Sequence, residues 1–339
     1  MKRVTIKDIA EALRISTSTV SRALVDDHNI RTETKQLILE TARKMGYRPN
    51  PVARNLKSGR SNTVGVLVPE MVTPFASCVV EGIQEILYAE GIKVIIADSR
   101  EDPQRELENM KLMERFMVDG IVVSLCDYNR NIDEIKELKQ RGMPMVFYDR
   151  IPKGLDVSQV IVDDYMKSFF LVERIIRSGR KHIVHIQGPD NIYNAIERLR
   201  GYREAMAKFR LDCGSEMVVR AGISYEEGMR AADFIIDRGL PCDAVFAFTD
   251  MVAIGAMNRF RERGKKIPEE IAVASFSGTE LSKMVYPPLT TVEPPLKMMG
   301  RTAAQLILER IRNFESPRRS VVLNAEIVMR ESTGTPGEM

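Results

Sequence analysis

The chain has 339 residues, of which 29% are charged and 44% hydrophobic, and its formal net charge is +3. This composition is typical of globular proteins, and the length suits several domains better than one. The sequence contains no run of roughly 18 apolar residues, which argues against a membrane span. The basic N-terminal residues are not followed by an apolar segment, which argues against a signal peptide. The expected location is the cytoplasm, and four scattered cysteines without a C-x-x-C pair predict reduced thiols.

Basic residues are concentrated at the N-terminus. Residues 1–60 contain 13 Lys and Arg and 6 Asp and Glu, a net charge of +7, whereas residues 61–339 contain 37 and 41, a net charge of −4. A basic head on a mildly acidic body favours a nucleic-acid-binding module joined to a second function. The competing interpretation is a solvated helical cap.

Two short helical patterns open the chain. Residues 5–13 place apolar side chains at helical spacing with Thr5 as N-cap. After a break, Ser16 or Thr17 can cap a second helix that runs to Leu24. Two short helices joined by a tight turn predict a helix-turn-helix, whose second helix enters the DNA major groove.

The second helix offers three candidate base readers, Thr17, Ser18 and Arg22. Arg22 can donate two hydrogen bonds to a guanine, whereas the short hydroxyl side chains suit bases, a thymine methyl or phosphates. A third helix, predicted over 32–45 and ended by Gly46, completes a three-helix core.

A short basic segment follows the head. Asn50 as N-cap, Pro51 at the first helical position and Gly59 as a stop predict a helix too short to be stable alone. We expect a hinge that folds on DNA, with Leu56 as a wedge in the minor groove. Packing of Leu56 in a dimer is the alternative.

Four motifs stand in order along this region: Thr5-Ile6-Lys7-Asp8-Ile9-Ala10, Ser18-Thr19-Val20-Ser21-Arg22-Ala23-Leu24, Gly46-Tyr47-Arg48-Pro49-Asn50 and Ala53-Arg54-Asn55-Leu56. Together they resemble the lac-repressor and purine-repressor family of bacterial transcription regulators, and the similarity continues to about Thr333. The resemblance implies DNA contacts from Thr5, Ser16, Thr17, Ser18, Ser21, Arg22, Asn29, Tyr47, Asn50, Ala53, Arg54, Leu56 and Lys57. At Arg31, where the family usually has a capping Ser, Thr32 would take over the cap.

The rest of the chain alternates apolar strand patterns with amphipathic helices. This alternation predicts a doubly wound α/β pattern repeated twice, with buried parallel sheets. Strands are predicted near 64–69, 93–97, 120–124, 145–148, 160–162, 183–186, 216–219, 244–248 and 271–276. Helices are predicted near 75–90, 103–117, 131–141, 164–178, 196–209, 225–238, 250–263 and 296–313.

The family resemblance implies the two-lobed clamp of periplasmic sugar-binding proteins behind an all-α helix-turn-helix headpiece. The expected domains are the headpiece at 1–49, the hinge helix at 50–60 and an effector-binding and dimerisation domain at 61–339. Its N-lobe would comprise residues 61–161 and 293–323, and its C-lobe residues 162–292 and 324–333.

Ligands of open α/β sheets bind beyond the carboxyl ends of the strands. The side chains just after the strands are the candidate effector contacts: Thr73, Phe75, Ser124, Asp149, Asp163, Asn191, Asn194, Arg198, Ile223, Thr249, Asp250 and Ser277. Asp149 and Arg198 offer acceptors and donors for a polyol or a carboxylate, and the family position that matches Arg198 contacts effector. Asp163 and Asp250 could instead cap helices, and Phe75 could pack in the core or stack on a sugar ring.

Three departures from the family bear on the effector. Members with known sugar or purine ligands usually carry Asn before Asp250 and Asp at position 277, where this chain has Thr249 and Ser277. Pro294 replaces a Gln of the lac repressor. Small hydroxyls change both charge and reach, so no particular effector can be transferred, and the predicted class is a carbohydrate or another small polar metabolite.

Enzymatic function finds no support in the sequence. It lacks G-x-G-x-x-G, P-loop, G-x-S-x-G and H-E-x-x-H motifs, and His182 and His185 would point to opposite faces of a strand. No enzyme activity and no cofactor are therefore predicted. A two-lobed enzyme would need a nucleophile or cofactor loop, and a secreted solute-binding protein would lack the basic head.

We predict a DNA-binding regulator, with double-stranded operator DNA, a small-molecule effector and a second copy of the chain as partners and no membrane. The family places the dimer contacts on the helices after Pro74 and Asp250. The C-terminal tail at 332–339 contains no heptads, so the expected unit is a homodimer.

Overall fold

The computed structural model describes residues 4–24, 27–47 and 60–334. Most of the predicted hinge, with the candidate DNA contacts Asn50, Ala53, Arg54, Leu56 and Lys57, lies outside the described residues. The chain divides into two compact units on either side of the bond between Ser61 and Asn62. Each unit has its own buried apolar core.

Three helices form the N-terminal unit: α1 (Ile6–Leu13), α2 (Thr17–Ala23) and α3 (Thr32–Lys44). Their shared core is apolar, and Ile9, Val20 and Ile38 are completely buried. The predicted helix-turn-helix followed by a third helix is confirmed.

The helix ends of this unit follow local capping chemistry. Ser16 caps α2, since its hydroxyl accepts a hydrogen bond from the backbone N–H of Thr19 at 3.1 Å. Gly46, beyond the end of α3, has a φ of +71°, which favours glycine. In α3 the N-cap position is held by Arg31 without a side-chain hydrogen bond, so the prediction that Thr32 caps this helix is wrong.

Two six-stranded sheets form the second unit. Their strands are β1 (Thr63–Val68), β2 (Lys93–Asp98), β3 (Gly120–Val123), β4 (Met145–Tyr148), β5 (Ser158–Val162), β6 (Ile183–Gln187), β7 (Val218–Arg220), β8 (Ala244–Ala247), β9 (Ala272–Phe276), β10 (Thr290–Glu293), β11 (Ser320–Leu323) and β12 (Glu326–Val328). Sheet 1 has the order β11-β5-β4-β3-β1-β2, and sheet 2 the order β12-β10-β9-β8-β6-β7. The predicted doubly wound architecture is confirmed with one correction, because the edge strand β12 runs antiparallel to β10.

Helices cover the sheets. They are α4 (Pro74–Ala89), α5 (Pro103–Arg115), α6 (Ile132–Gln140), α7 (Asp164–Arg177), α8 (Tyr193–Lys208), α9 (Tyr225–Asp237), α10 (Asp250–Glu262), α11 (Leu281–Met284) and α12 (Leu296–Arg312). Successive strand residues point to opposite faces, and the neighbours Val66 and Leu67 are both fully buried in different core clusters. Sheet 1 is therefore covered on both faces, as its continuous apolar strands require.

The chain passes between the two sheets three times. It leaves sheet 1 after β5, returns after β10 through α12 to β11, and crosses again at Asn324 and Ala325. The strands β10, β11 and β12 were not predicted. Strand β11 alternates exposed and half-buried residues, and β12 has 3 residues, so neither gives a continuous apolar run.

Three further observations concern the described residues. None of their helices is long and apolar enough to cross a membrane. They contain no group of three or more His, Cys, Asp or Glu side chains arranged to hold a metal ion. The four cysteines are free thiols, and Cys126 is the buried one.

Candidate functional site

A cavity of about 600 Å³ lies where the carboxyl ends of both sheets meet. Its walls come from the residues that end or follow strands in both lobes, as expected for open α/β sheets. The predicted effector contacts that line it are Thr73, Phe75, Ser124, Asp149, Asn194, Arg198, Ile223, Thr249, Asp250 and Ser277.

Two predicted effector contacts, Asp163 and Asn191, do not line the cavity. The carboxylate of Asp163 accepts a hydrogen bond from the backbone N–H of Met166 at 2.9 Å, so Asp163 caps α7. The side-chain amide of Asn191 donates to the backbone oxygen of Cys126 at 3.2 Å, which ties one lobe to the other. Both side chains therefore have structural partners.

Arg198 is buried at the base of the cavity and is held by protein groups. Its Nε donates to Asp164 Oδ1 at 2.7 Å, and its Nη1 donates to the backbone oxygen of Phe248 at 2.7 Å. The guanidinium carbon lies 3.8 Å from the ring centroid of Phe276. Two of the five N–H groups of Arg198 thus fix its position through bonds within the protein.

Asp164, the ion-pair partner of Arg198, was not among the predicted site residues. Burial raises the pKa of Asp164 to about 7, against the lowering effect of Arg198. The sequence shows only an Asp-Asp pair before a predicted helix, and such a pair indicates a helix N-cap rather than a partner for Arg198. The ion pair depends on α7 and α8 packing together, and that packing is a tertiary contact.

Asp250 holds several elements of sheet 2 together. Its Oδ1 accepts from Ser275 Oγ at 2.6 Å and Thr291 Oγ1 at 2.9 Å, and its Oδ2 accepts from the backbone N–H and the hydroxyl of Thr279 at 2.7 and 2.8 Å. These four bonds match the four acceptor positions of a carboxylate. Thr249 is the N-cap of α10, so the alternative that Asp250 caps this helix is wrong.

Three buried polar atoms on the cavity wall have no hydrogen-bond partner: Ser124 Oγ, Tyr148 OH and Asn194 Oδ1. Each of these residues is at most 2% exposed. The amide of Asn194 is oriented because its Nδ2 donates to Asp149 Oδ1 at 2.8 Å, which leaves its oxygen as an acceptor. Buried polar groups are nearly always paired, so these three atoms have hydrogen-bonding capacity that the protein itself does not use.

Tyr148 is a further site residue that the sequence analysis missed. It is the last residue of β4 and is 1% exposed, and burial raises the pKa of its hydroxyl, which therefore stays protonated. Phe75, by contrast, fits both alternatives, since it lines the cavity and packs against a core cluster that contains residues of both sheets.

The charges around the cavity favour a ligand without negative charge. Six carboxylates and three guanidinium groups line it: Glu70, Asp98, Glu101, Asp149, Glu226, Asp250, Arg100, Arg150 and Arg198. Arg150 pairs with Glu101 at 2.8 Å, and Arg198 is occupied by Asp164. Two of the three cations are therefore already compensated, and the third, Arg100, is mostly exposed and lies 3.8 Å from Asp98, so acidic groups outnumber free cations around the cavity.

In the N-terminal unit, the described candidate DNA contacts differ in exposure and in the partners of their side chains. Thr17, Ser18 and Arg22 are exposed on α2, where a helix-turn-helix contacts bases. The hydroxyl of Ser16 is engaged as the cap of α2, and the side chain of Asn29 donates to Asp27 at 2.9 Å. Thr5 is exposed at the start of α1, Ser21 is half-buried in α2, and Tyr47 packs against the core.

Comparisons with known proteins agree with this architecture. Residues 5–50 match the model for bacterial regulatory proteins of the lacI family, and residues 172–333 match a periplasmic binding protein-like domain. The HTH-type transcriptional repressor CytR of Escherichia coli (strain K12) is 30% identical over 331 residues, which cover 97% of this chain and 96% of that protein. Its description as a repressor agrees with the prediction of a non-enzymatic protein.

Solved structures give the same result. The complex of the transcriptional regulator CelR with cellobiose matches with a TM-score of 0.74 and 27% identity, over 97% of this chain and 100% of that one. The lac repressor dimer bound to operator and the anti-inducer ONPF matches with a TM-score of 0.85 and 22% identity, over 98% and 100% of the two chains. The latter likeness supports the fold.

Proposed function

The chain belongs to the lacI family of bacterial regulatory proteins and is a DNA-binding transcriptional repressor, and from this premise we propose how it recognises DNA and what controls it. Its homodimer binds a near-palindromic operator, with one headpiece in each half-site. A small molecule in the cavity between the lobes changes its affinity for that operator. The protein acts where operator DNA is found, in the bacterial cytoplasm.

Base recognition is assigned to α2. Its exposed residues Thr17, Ser18 and Arg22 lie on a unit with a net charge of +7, which attracts the phosphate backbone. Arg22 is the residue that can discriminate a guanine by two hydrogen bonds. Arg22→Ala should weaken specific binding by about 1–3 kcal/mol and relax the preference at one base of each half-site. A uniform loss across all sequences would reassign Arg22 to a phosphate contact.

The effector is proposed to be an uncharged, hydroxyl-rich molecule of the carbohydrate class. The observation that supports this most strongly is the set of buried, unpartnered atoms in residues that line the cavity: Ser124 Oγ and Tyr148 OH at the ends of sheet 1 strands, and Asn194 Oδ1 on α8 of the other lobe. Hydroxyl groups can both donate to Asn194 and accept from Tyr148. The compensated arginines argue against the carboxylate ligand that Asp149 and Arg198 had also suggested.

Control requires that the effector favours one arrangement of the two lobes. A change in the angle between the lobes would alter the separation of the paired hinges and so their stability on DNA. Such coupling is typically about 1–3 kcal/mol and is reciprocal, so operator DNA changes effector affinity by the same factor.

Selection of bound duplexes from a random pool tests the DNA-binding part of the proposal. The full-length protein should enrich a palindromic site, and its affinity should fall steeply as salt is raised. The Arg22→Ala variant in parallel should return a relaxed version of the same site. Enrichment without palindromic symmetry, or a monomer in sedimentation at the same concentration, would contradict binding by a homodimer.

A further inference from the structure

A groove of about 700 Å³ lies on the second unit and shares no residue with the cavity between the lobes. It runs along α7, beside residues 324–327, which contain the third crossover between the sheets and the start of β12. Lys167, Phe170, Arg174 and Arg177 face it, and their spacing of three and four residues places them on one side of α7.

Two cations of this groove have only neutral partners. Lys167 Nζ donates to Asn324 Oδ1 at 2.8 Å, and Arg174 Nη1 donates to the backbone oxygen of Ile327 at 3.3 Å. Among residues 60–334, no carboxylate oxygen lies within 4.0 Å of either charged group. Their charges are therefore available to a ligand.

The acidic residues of the groove do not cancel these charges. Glu173 Oε1 accepts from Arg177 Nη2 at 2.8 Å and from Lys208 Nζ at 3.0 Å, so two other cations neutralise it. Glu326 is the remaining carboxylate on the groove. The cluster of Lys167, Arg174, Arg177 and Lys208 with Glu173 and Glu326 thus keeps a positive balance, on a body whose net charge is negative.

Apolar surface lies beside the uncompensated cations. Phe170 stands between Lys167 and Arg174 on α7 and is 42% exposed. An aromatic face next to a lysine and an arginine suits a ligand that combines an anionic group with a ring or another apolar part.

We propose that this groove binds a small phosphorylated metabolite, with Lys167 and Arg174 supplying the positive charge that attracts its phosphoryl group and its organic part over Phe170. A phosphate monoester carries a charge of about −1.5 to −2 at neutral pH, which matches two uncompensated cations. Lysine contributes a point charge, and arginine contributes a planar pair of donors. An occupant would also contact Asn324 at the crossover, so this second site adjoins a connection between the lobes.

Thermal unfolding of the full-length protein tests the assignment. Inorganic phosphate and phenyl phosphate are added at constant pH and ionic strength, with chloride as the reference anion. Both should raise the melting temperature in a saturable manner, because a ligand that binds the native state stabilises it. Phenyl phosphate should reach half of its effect at the lower concentration, since its ring lies over Phe170.

Substitutions locate the effect. The double variant Lys167→Gln/Arg174→Gln should lose most of the rise, while Glu326→Gln should shift half-saturation to lower phosphate. Arg203→Gln, at an exposed arginine of α8 outside the groove, provides the matched control and should behave like the wild type. An equal rise in the double variant would place the phosphate elsewhere and overturn the proposal. Absence of any rise in the wild type would overturn it as well.

Discussion

On the sheet 1 wall of the cavity, Ser124 Oγ and Tyr148 OH are buried without a hydrogen-bond partner, whereas on the sheet 2 wall Asp250 accepts four hydrogen bonds. The second wall also contains Arg198, which is fixed by Asp164 and by the backbone of Phe248. The sheet 2 wall is therefore held mainly by bonds within the protein, and Asn194 Oδ1 on α8 is its buried atom without a partner. Sheet 1 supplies two buried hydroxyl groups that have no partner within the protein.

This difference separates the residues that maintain the fold from those that contact the effector. A buried group with protein partners costs stability when it is removed, because its partners are left unsatisfied. A buried group without partners costs little when it is removed and can even be destabilising when present. Substitutions on the sheet 2 wall should therefore mainly lower stability, whereas substitutions on the sheet 1 wall should mainly lower ligand affinity.

The largest effect is expected from Arg198→Ala. It leaves Asp164 without its ion-pair partner and should lower the free energy of unfolding by about 3–5 kcal/mol. The pKa of Asp164 is raised to about 7 in the folded state, so the folded state favours the protonated carboxyl group. The contribution of Asp164 to the free energy of unfolding is therefore present at low pH and is lost as pH rises through 7. The deficit of the variant should thus be greatest above pH 7, as measured by urea unfolding at several pH values.

Arg200→Ala is the matched control for this prediction. Arg200 lies two residues further along α8, and half of its side chain is exposed in an ion pair with Glu197. Its removal should cost less than about 1 kcal/mol. Equal losses in the two variants would contradict a structural role for the buried pair.

His185 should make the second lobe sensitive to acid. It is fully buried in β6, its Nδ1 lies 2.8 Å from the backbone oxygen of Phe246, and burial lowers its pKa to about 4. The pKa of His185 in the folded state lies below the usual value, so the folded state favours the neutral imidazole. The contribution of the neutral ring to the free energy of unfolding is therefore present above pH 6.5 and is lost as pH falls towards 4. The loss should be about 3 kcal/mol.

The difference between the wild type and His185→Phe isolates this loss from the titration of carboxylates. The wild type should lose more stability than the variant between neutral pH and pH 4, in parallel urea titrations. His182→Phe serves as the control, because His182 is exposed. Parallel pH profiles for the wild type and His185→Phe would rule out the lowered pKa.

Asp250→Asn tests whether the hydrogen bonds that Asp250 accepts stabilise the sheet 2 wall. The amide keeps one acceptor oxygen but turns an NH₂ group towards hydroxyl or backbone donors, so unfolding should become easier by about 2 kcal/mol. Measurement by denaturant unfolding should show a lower midpoint. An unchanged midpoint would mean that the four hydrogen bonds of Asp250 do not stabilise sheet 2.

Tyr148→Phe should show the smallest effect on stability and the clearest effect on the ligand. The hydroxyl has no partner to lose, so the free energy of unfolding should change by less than about 0.5 kcal/mol. Loss of one neutral hydrogen bond should weaken a sugar ligand by about 0.5–1.5 kcal/mol, up to roughly tenfold. Calorimetric titration of both proteins compares the affinities, and a large loss of stability with unchanged affinity would reverse the assignment of the two walls.

The sequence could predict the parts that depend on local pattern. Apolar runs indicated most strands of both sheets, and positions just after strands indicated ten residues that line the cavity. The partners of Asp250 could not be predicted, because Thr279 and Thr291 lie 29 and 41 residues away along the chain. Tyr148 was missed because it is the last residue of a buried strand, and the sequence pattern assigns it to the apolar core.

The strands β10, β11 and β12 were missed for a related reason. Thr290 and Thr291 interrupt the apolar pattern of β10, although both are fully buried by their neighbours. Strand β11 lies at the edge of sheet 1, and its residue Val322 is 59% exposed. Tertiary contacts, rather than local composition, determine these strands.

The most direct test of the account is the affinity of the selected operator with and without a neutral sugar that raises the melting temperature of the full-length protein. The account predicts that the sugar changes operator affinity, that operator changes sugar affinity by the same factor, and that Tyr148→Phe weakens sugar binding but not operator binding without sugar. Equal sugar affinity in the presence and absence of operator would contradict control of DNA binding through the cavity.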